Sequence, residues 1–208
     1  MQGWRWHVHR KKASKEFVAS PSSFKDGEYK AVLTEGQNAR LLDYLRNGRY
    51  LPPELPNKGS PVQLLAFSFG QNPDANMQLA TAVDNPIGEL GSLRVVVVQW
   101  EIANILYERH RKDKEYRNRV KRIDPDCDRD YITSDEVVEK FKRSKGVKER
   151  EGTFVVCQAW HAPRCIDICV KNELPVVGRE FVYDFSPSDP QKRVRNWLAW
   201  VLKEGTKK

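Results

Sequence analysis

His161 and Arg164 are the residues of this sequence whose types and spacing best suit a binding or catalytic site. An imidazole exchanges protons near neutral pH, and a guanidinium binds phosphate or carboxylate through two parallel hydrogen bonds. Both residues stand where an apolar run, Thr153 to Cys157, gives way to a helix expected from Pro163 to Asn172. The free N–H groups of a helix start also attract anions. We expect both side chains to face one anion-binding crevice; the alternative is that His161 caps the helix and Arg164 pairs with a surface carboxylate.

Glu101 is the expected acidic partner of His161 in that crevice. It follows a second apolar run, Arg94 to Val98, and would therefore lie at the same edge of a parallel sheet. A carboxylate there can act as a general base or bind an amine or hydroxyl group of a ligand. A carboxylate at the start of a helix also stabilises the helix dipole, so both interpretations of Glu101 stay open.

The elements that would position these side chains form a repeating pattern. Four apolar runs predict buried strands, and each is followed by a helical pattern: Val62 to Phe69, Arg94 to Val98, Thr153 to Cys157 and Phe181 to Phe185. The helices are expected at Pro73 to Val83, Trp100 to Arg111, Pro163 to Asn172 and from Asp189-Pro190 onward, where Val194 and Trp197 begin an apolar stripe. Strands that are apolar on both faces predict an α/β fold, a three-layer sandwich with a mostly parallel sheet between helices.

A polar insertion separates the second and third apolar runs. Lys112 to Lys121 is nearly all charged and is expected to extend the preceding helix, and residues 124–130 are expected to form a loop. A helix from Thr133 to Lys145 should follow, because Thr133-Ser134-Asp135-Glu136 fits a capping box.

Ligands of open parallel sheets bind beyond the carboxyl ends of the strands. This rule adds the polar residues of the strand-to-helix loops to the candidate site: Gly70, Gln71, Asn72, Gln99, Asp184 and Ser186. For Asn72, capping of the following helix is the favoured alternative. The sequence contains no G-x-G-x-x-G, Walker or G-x-S-x-G pattern, so we expect neither a glycine-rich phosphate loop nor an ordinary serine hydrolase.

Cys157, His161, Cys165 and Cys169 recur at every fourth position, a spacing that suggests zinc. We expect no metal site, because Cys157 belongs to a strand and the other two cysteines to a helix, so their side chains diverge. Cys165 and Cys169 are instead predicted to be small core residues. With only four cysteines in the chain, a secreted disulfide framework is not expected either.

The 208 residues suit one α/β domain, expected at 62–204. Residues 1–33 are predicted to be an extended or disordered basic arm, and residues 34–61 a helix followed by a proline-rich linker. No apolar run reaches the roughly 20 residues that span a bilayer, and the N-terminus has no signal-peptide core, so we expect no membrane partner and a cytoplasmic location.

The net charge of +8 raises a second functional hypothesis. Much of the excess lies in residues 5–15, in residues 109–122 and in the tail after Lys203. Trp4 and Trp6 stand among the basic residues of the arm. Basic arms with aromatic residues bind nucleic acid through phosphate contacts and base stacking. Charge concentrated at chain ends and in one insertion is more often simply solvated. A third hypothesis is a non-catalytic interaction module whose crevice binds nothing.

The strand and His-x-x-Arg segment from Val155 to Arg164 resembles the signature of the bacterial YdcF/SanA-like family, with Cys165 in the place of its small residue. Gly70, Glu101 and Thr133 stand in the order of that family's glycine-ending strand, acidic residue and Thr-containing helix start. The resemblance covers about residues 62–185 and implies a Rossmann-like fold with its site in this crevice. It also implies a loosely defined role, with cell-envelope processes for some members. For one branch, the resemblance implies binding of S-adenosylmethionine. From His161 and Arg164 we expect an anionic or nucleotide-like ligand, and the resemblance adds S-adenosylmethionine as one candidate cofactor.

Overall fold

The computed structural model describes residues 62–89, 93–195 and 199–200. The predicted basic arm, the helix and linker of residues 34–61, and the end of the predicted domain after residue 200 lie outside these residues. None of the described helices is long and apolar enough to cross a membrane.

Strands and helices alternate along the described chain. The strands are β1 (Val62–Ala66), β2 (Leu93–Gln99), β3 (Val120–Ile123), β4 (Gly152–Gln158) and β5 (Val176–Val182). The helices are α1 (Pro73–Glu89), α2 (Trp100–Arg109), α3 (Lys114–Arg119), α4 (Ser134–Arg143) and α5 (Ala162–Lys171), followed by a 3-10 helix (Lys192–Val194). All strand pairs are parallel, and the sheet order is β3-β2-β1-β4-β5. This confirms the predicted α/β class, in a Rossmann-like order.

The sheet is buried on both faces. Along β1, Leu64 packs into one hydrophobic cluster and Leu65 into the other, as the alternation of side chains along a strand requires. The first cluster includes Leu79 of α1 and Leu106 of α2, and the second includes Phe141 of α4 and side chains of α5. The three-layer sandwich is therefore confirmed for the described residues.

The chain reverses direction across the sheet at β1. From β1 it runs to β2 and β3 on one side, and it then crosses over to β4 and β5 on the other side. A reversal of this kind opens a crevice where the two connections leave the sheet in opposite directions. The crevice lies beyond the carboxyl ends of β1 and β4, next to the predicted pair His161 and Arg164.

The prediction that Lys112 to Lys121 extends the second helix is wrong. α2 ends at Arg109, and α3 starts separately after Asp113, whose side chain accepts a hydrogen bond from the Tyr116 N–H group. β3 then follows at the edge of the sheet. The search for continuous apolar runs missed this strand, because only Val120 and Ile123 face the core and the two basic residues between them are more exposed.

The last predicted strand is also displaced. It was expected at Phe181 to Phe185, but β5 runs from Val176 to Val182. β5 is the other edge strand, and its partly exposed Arg179 and Glu180 interrupt the apolar run that would have marked it. α1, by contrast, continues beyond the expected Val83, through Pro86.

The element expected from Asp189-Pro190 begins differently from the prediction. The described residues show the 3-10 helix rather than a helical turn starting at Pro190. Val194, predicted to start the apolar stripe, is buried, whereas Trp197 lies outside the described residues. Trp200 is 3% exposed and belongs to the first core cluster.

Candidate functional site

A cleft lies at the carboxyl ends of the strands, with about 470 Å³ of space that includes open solvent. Five of the predicted site residues line it together: Gly70, Gln99, Glu101, His161 and Arg164. They come from the ends of β1, β2 and β4, so the crevice rule identified their common location. The other lining residues come mainly from two segments that the sequence reasoning did not use for the cleft: Tyr131, Ile132 and Ser134 before and in α4, and Gln191, Val194 and Trp200 near the end of the domain.

Two buried glutamines shape the walls of the cleft. Gln99 ends β2, and its Oε1 accepts a hydrogen bond of 2.8 Å from the Ser68 N–H group, beyond β1. Gln158 ends β4, and its Oε1 accepts from the Trp160 N–H group at 2.7 Å. A buried backbone N–H group just after the end of a strand no longer has a partner in the sheet and needs another acceptor. The two glutamine side chains are the acceptors here. Gln99 therefore lines the cleft and also fixes the backbone of Ser68 at its edge.

The loop after β1 is held by Asp189, which is fully buried. Its Oδ2 accepts hydrogen bonds from the N–H groups of Gln71 and Asn72, at 2.8 and 2.7 Å. The Asn72 side chain donates to the Ser188 hydroxyl and accepts from the Asp74 N–H group. Gln71 and Asn72 thus connect two loops and do not line the cleft, and the favoured alternative, in which Asn72 caps α1, fits these contacts.

The remaining predicted ligand-binding residues also have structural contacts outside the cleft lining. Thr133 is the N-cap of α4, and its reciprocal hydrogen bonds with Glu136 confirm the predicted capping box. The Ser186 hydroxyl accepts from the Ala75 N–H group in the first turn of α1. The carbonyl of Asp184 accepts from Gln158 Nε2 at 3.4 Å, while its side chain is exposed.

His161 is 7% exposed and lies against the rings of Phe69 and Trp200, with centroid separations of 6.1 and 5.0 Å. Its Nε2 lies 3.2 Å from the Ser134 Oγ, the first residue of α4. His161 occupies the N-cap position of α5, but its side chain makes no capping hydrogen bond there. The capping alternative for His161 is therefore wrong, and the imidazole instead contacts the cleft.

Glu101 presents a carboxyl group to the same cleft. Burial raises its pKa to about 7, and this effect exceeds the opposite effects of its own backbone N–H group, the Ser68 hydroxyl and the Arg122 charge. Its Oε2 is buried and has no hydrogen-bond partner among the residues that the structure describes. A carboxyl group with a pKa near neutrality can donate or accept a proton under physiological conditions.

Arg164 lies in the first turn of α5, with its guanidinium carbon 5.5 Å from the centre of the Trp200 ring. The indole Nε1 of Trp200 in turn donates to the Trp160 carbonyl at 2.8 Å, which fixes the ring. Guanidinium groups stack on aromatic rings and bind planar anions through two parallel hydrogen bonds. Arg164 thus brings positive charge to the half of the cleft that also contains His161.

The three regularly spaced cysteines belong to the core. Cys157, Cys165 and Cys169 are fully buried in the cluster between the sheet and helices α4 and α5, which confirms the predicted core role of the last two. Burial raises the pKa of the Cys169 thiol to about 12 and that of Cys165 well above its usual value, so both stay protonated. Within the described ranges, no group of three histidine, cysteine or acidic residues could hold a metal ion.

The basic segment 109–122 does not form the single helix of the nucleic-acid hypothesis. It comprises the end of α2, the short α3 and most of β3. Arg109 and Arg122 are paired with carboxylates, at 3.2 Å from Asp84 and in contact with Asp124. The arm that would complete such a surface lies outside the described residues.

In comparisons with known proteins, no family model and no curated sequence matches this chain. The resemblance to the YdcF/SanA-like family consequently stays an interpretation of short motifs.

Proposed function

We propose that the cleft binds a small molecule that carries an anionic group, and that Glu101 and His161 exchange protons with it. The observation that supports this most strongly is the convergence of Glu101, at the start of α2, and of His161 and Arg164, at the start of α5, on one cleft at the switch point of the sheet. Ligands of open α/β sheets bind at this point. If these side chains served only to form stabilising ion pairs, they would not need to line the same cleft.

The chemistry of the cleft favours an anion beside a hydrogen-bonding group. Arg164 would bind the phosphate or carboxylate of the ligand through its guanidinium group. The buried Oε2 of Glu101, which lacks a partner in the described part of the chain, would contact a hydroxyl or amino group. Such an arrangement suits nucleotide-like metabolites and phosphorylated small molecules.

S-adenosylmethionine is one candidate ligand, and the reason to include it is the proposed relationship to the YdcF/SanA-like family. Its carboxylate would suit Arg164, and its ammonium group would suit the Glu101 carboxylate in its charged form. The chemistry that it supplies when bound is the transfer of a methyl group. We include it in the binding test because both contacts involve residues that line the cleft.

A thermal-shift experiment on the full chain tests the proposal with inorganic phosphate, adenosine monophosphate and S-adenosylmethionine. A ligand at a hundred times its dissociation constant raises the free energy of unfolding by about 2.7 kcal/mol. We expect stabilisation of the parent, its loss in Arg164→Ala and partial retention in Arg164→Lys, which keeps the charge but not the planar fork.

Arg143→Ala is the matched control, because Arg143 is an exposed arginine at the end of α4 that pairs only weakly with Glu139, at 3.3 Å. It should respond to the ligands as the parent does. Equal responses of Arg164→Ala and the parent would show that the site assignment is wrong, and no response of the parent to any of the three compounds would contradict the proposed function.

A further inference from the structure

We propose that Ser134 is a nucleophile activated by His161 and that the cleft cleaves a small ester that carries an anionic group. The inference rests on the proposed function, because it uses the same cleft and the same anion-binding Arg164. It adds a covalent step and a substrate class. The observation that carries it is the juxtaposition of the Ser134 hydroxyl and the His161 imidazole, 3.2 Å apart, at the wall of the cleft.

The Ser134–His161 contact has the geometry of a nucleophile and its base. In the tautomer that holds its proton on Nδ1, the imidazole accepts the Ser134 hydroxyl hydrogen at Nε2. Serine–histidine pairs whose imidazole is oriented by a third group occur on unrelated folds, and they are recognised by geometry rather than by a sequence motif. The absence of a G-x-S-x-G pattern therefore argues against the nucleophile turn of α/β-hydrolases. It does not argue against a serine nucleophile in another arrangement.

The rest of the cleft suits the two partners of such a reaction. The rings of Phe69 and Trp200 pack against the His161 imidazole and hold its plane. Arg164 lines the same cleft as Ser134, so it would bind the anionic group of the ester there.

The start of α4 can stabilise the charge that develops on the carbonyl oxygen. Thr133 uses its hydroxyl for the Glu136 N–H group and its carbonyl for the Val137 N–H group. The N–H groups of Ser134 and Asp135 precede the first hydrogen bond within the helix, and they lie beside the nucleophile. Backbone N–H groups in this position form the oxyanion holes of acyl-transfer enzymes.

The reaction is balanced with water as the second reactant. The Ser134 Oγ forms a bond to the ester carbonyl carbon, the bond from that carbon to the alcohol oxygen breaks, and the hydroxyl proton passes through His161 Nε2 to the departing oxygen. Water then adds to the acyl carbon, gives its proton to Nε2, and releases a carboxylic acid as the Ser134 Oγ recovers its hydrogen.

Diisopropyl fluorophosphate tests the nucleophile directly on the full chain. Attack by the Ser134 Oγ forms a stable phosphate ester and releases fluoride, and mass spectrometry of the peptides locates the modified residue. We expect modification at Ser134 in the parent, none at that peptide in Ser134→Ala, and a rate at least about a hundredfold lower in His161→Gln.

Ser144→Ala is the matched control. Ser144 lies at the opposite end of α4, where its hydroxyl donates to the Lys140 carbonyl, so this variant should be modified as the parent is. An unmodified parent, or a modification that persists unchanged in Ser134→Ala, overturns the inference. The Ser134 result alone decides the question if His161→Gln does not fold.

The same variants separate failure of this inference from failure of the proposed function. Stabilisation of Ser134→Ala by inorganic phosphate that depends on Arg164, together with an unmodified parent, would retain the binding site and reject the nucleophile. Absence of any phosphate effect in parent and variant, together with modification at Ser134, would reject the proposed anion site and retain the nucleophile.

Discussion

Gly70 and Asp189 lie so close that no side chain fits between them. A Cβ atom built on Gly70 would be 2.3 Å from the Oδ2 of Asp189, which is closer than non-bonded atoms approach in folded proteins. Gly70 also has a φ of +80°, in the left-handed region that other residues adopt only at a cost. The loop after β1 therefore requires glycine at position 70, because its backbone lies against the buried carboxylate of Asp189.

Replacement of Gly70 by alanine should destabilise the protein more than the backbone angle alone explains. Gly146 offers the matched control, because its φ is +96° but a Cβ there would meet only Val95, at 3.9 Å. A positive φ costs a non-glycine residue about 1–2 kcal/mol. Denaturant unfolding should show a loss of about that size for Gly146→Ala and a clearly larger one for Gly70→Ala; equal losses would mean that the Asp189 contact is unimportant.

Glu101 should make the free energy of unfolding depend on pH between 4.5 and 7. The folded protein keeps a proton on Glu101 in this window that the unfolded chain releases, because burial raises the folded pKa to about 7. Stability should therefore fall as the pH rises through the window and level off above it, with a slope of at most about 1.4 kcal/mol per pH unit.

Glu101→Gln should remove that slope, because the amide does not titrate. The comparison variant is Glu108→Gln, in which an exposed carboxylate of the same helix α2 is replaced. Urea unfolding at several pH values should give the Glu101 variant a flatter profile than the parent and the Glu108 variant. A profile of Glu101→Gln that parallels the parent would show that Glu101 titrates normally.

Asp84 should stabilise the junction of α1, α2 and α3, outside the lining of the cleft. Its carboxylate accepts hydrogen bonds from His110 Nε2 at 3.0 Å, from Arg109 at 3.2 Å and from the Tyr116 hydroxyl. His110 and Tyr116 stack with their ring centroids 3.7 Å apart. Hydrogen bonds to a charged group contribute about 1.5–3 kcal/mol when one partner is removed.

The contribution of the Asp84–Tyr116 pair can be measured with Asp84→Asn, Tyr116→Phe and the double variant. We expect each single variant to lower the free energy of unfolding and the double variant to lose less than the sum of both. Ligand binding at the cleft should be unchanged in all three. Strict additivity of the two losses would show that the short contact between these side chains has no energetic role.

The centre of the sheet was predictable from sequence, and its edges were not. β1, β2 and β4 have neighbours on both sides and helices on both faces, so they appear as continuous apolar runs. β3 and β5 are edge strands with partly exposed polar side chains, for which an apolar run is not required. The prediction of strands from continuous apolar runs therefore failed for the two strands that are only partly buried.

The missed strand β3 also concealed part of the cleft. Without it, residues 124–133 could not be recognised as a loop beyond the carboxyl end of a strand, so Tyr131 and Ser134 were not candidates. Trp200 had no local signal at all, because it meets His161 only through the folded chain. His161 and Arg164 were accessible to prediction because their strand and helix are adjacent in sequence.

A two-dimensional NMR titration of the isotope-labelled full chain with inorganic phosphate shows whether the cleft binds anions. We expect the largest shifts at the backbone N–H groups of Gly70, His161 and Arg164 and at the indole N–H group of Trp200, and we expect them to disappear in Arg164→Ala. Shifts confined to the basic residues 109–122, or no shifts at all, would contradict an anion site in the cleft.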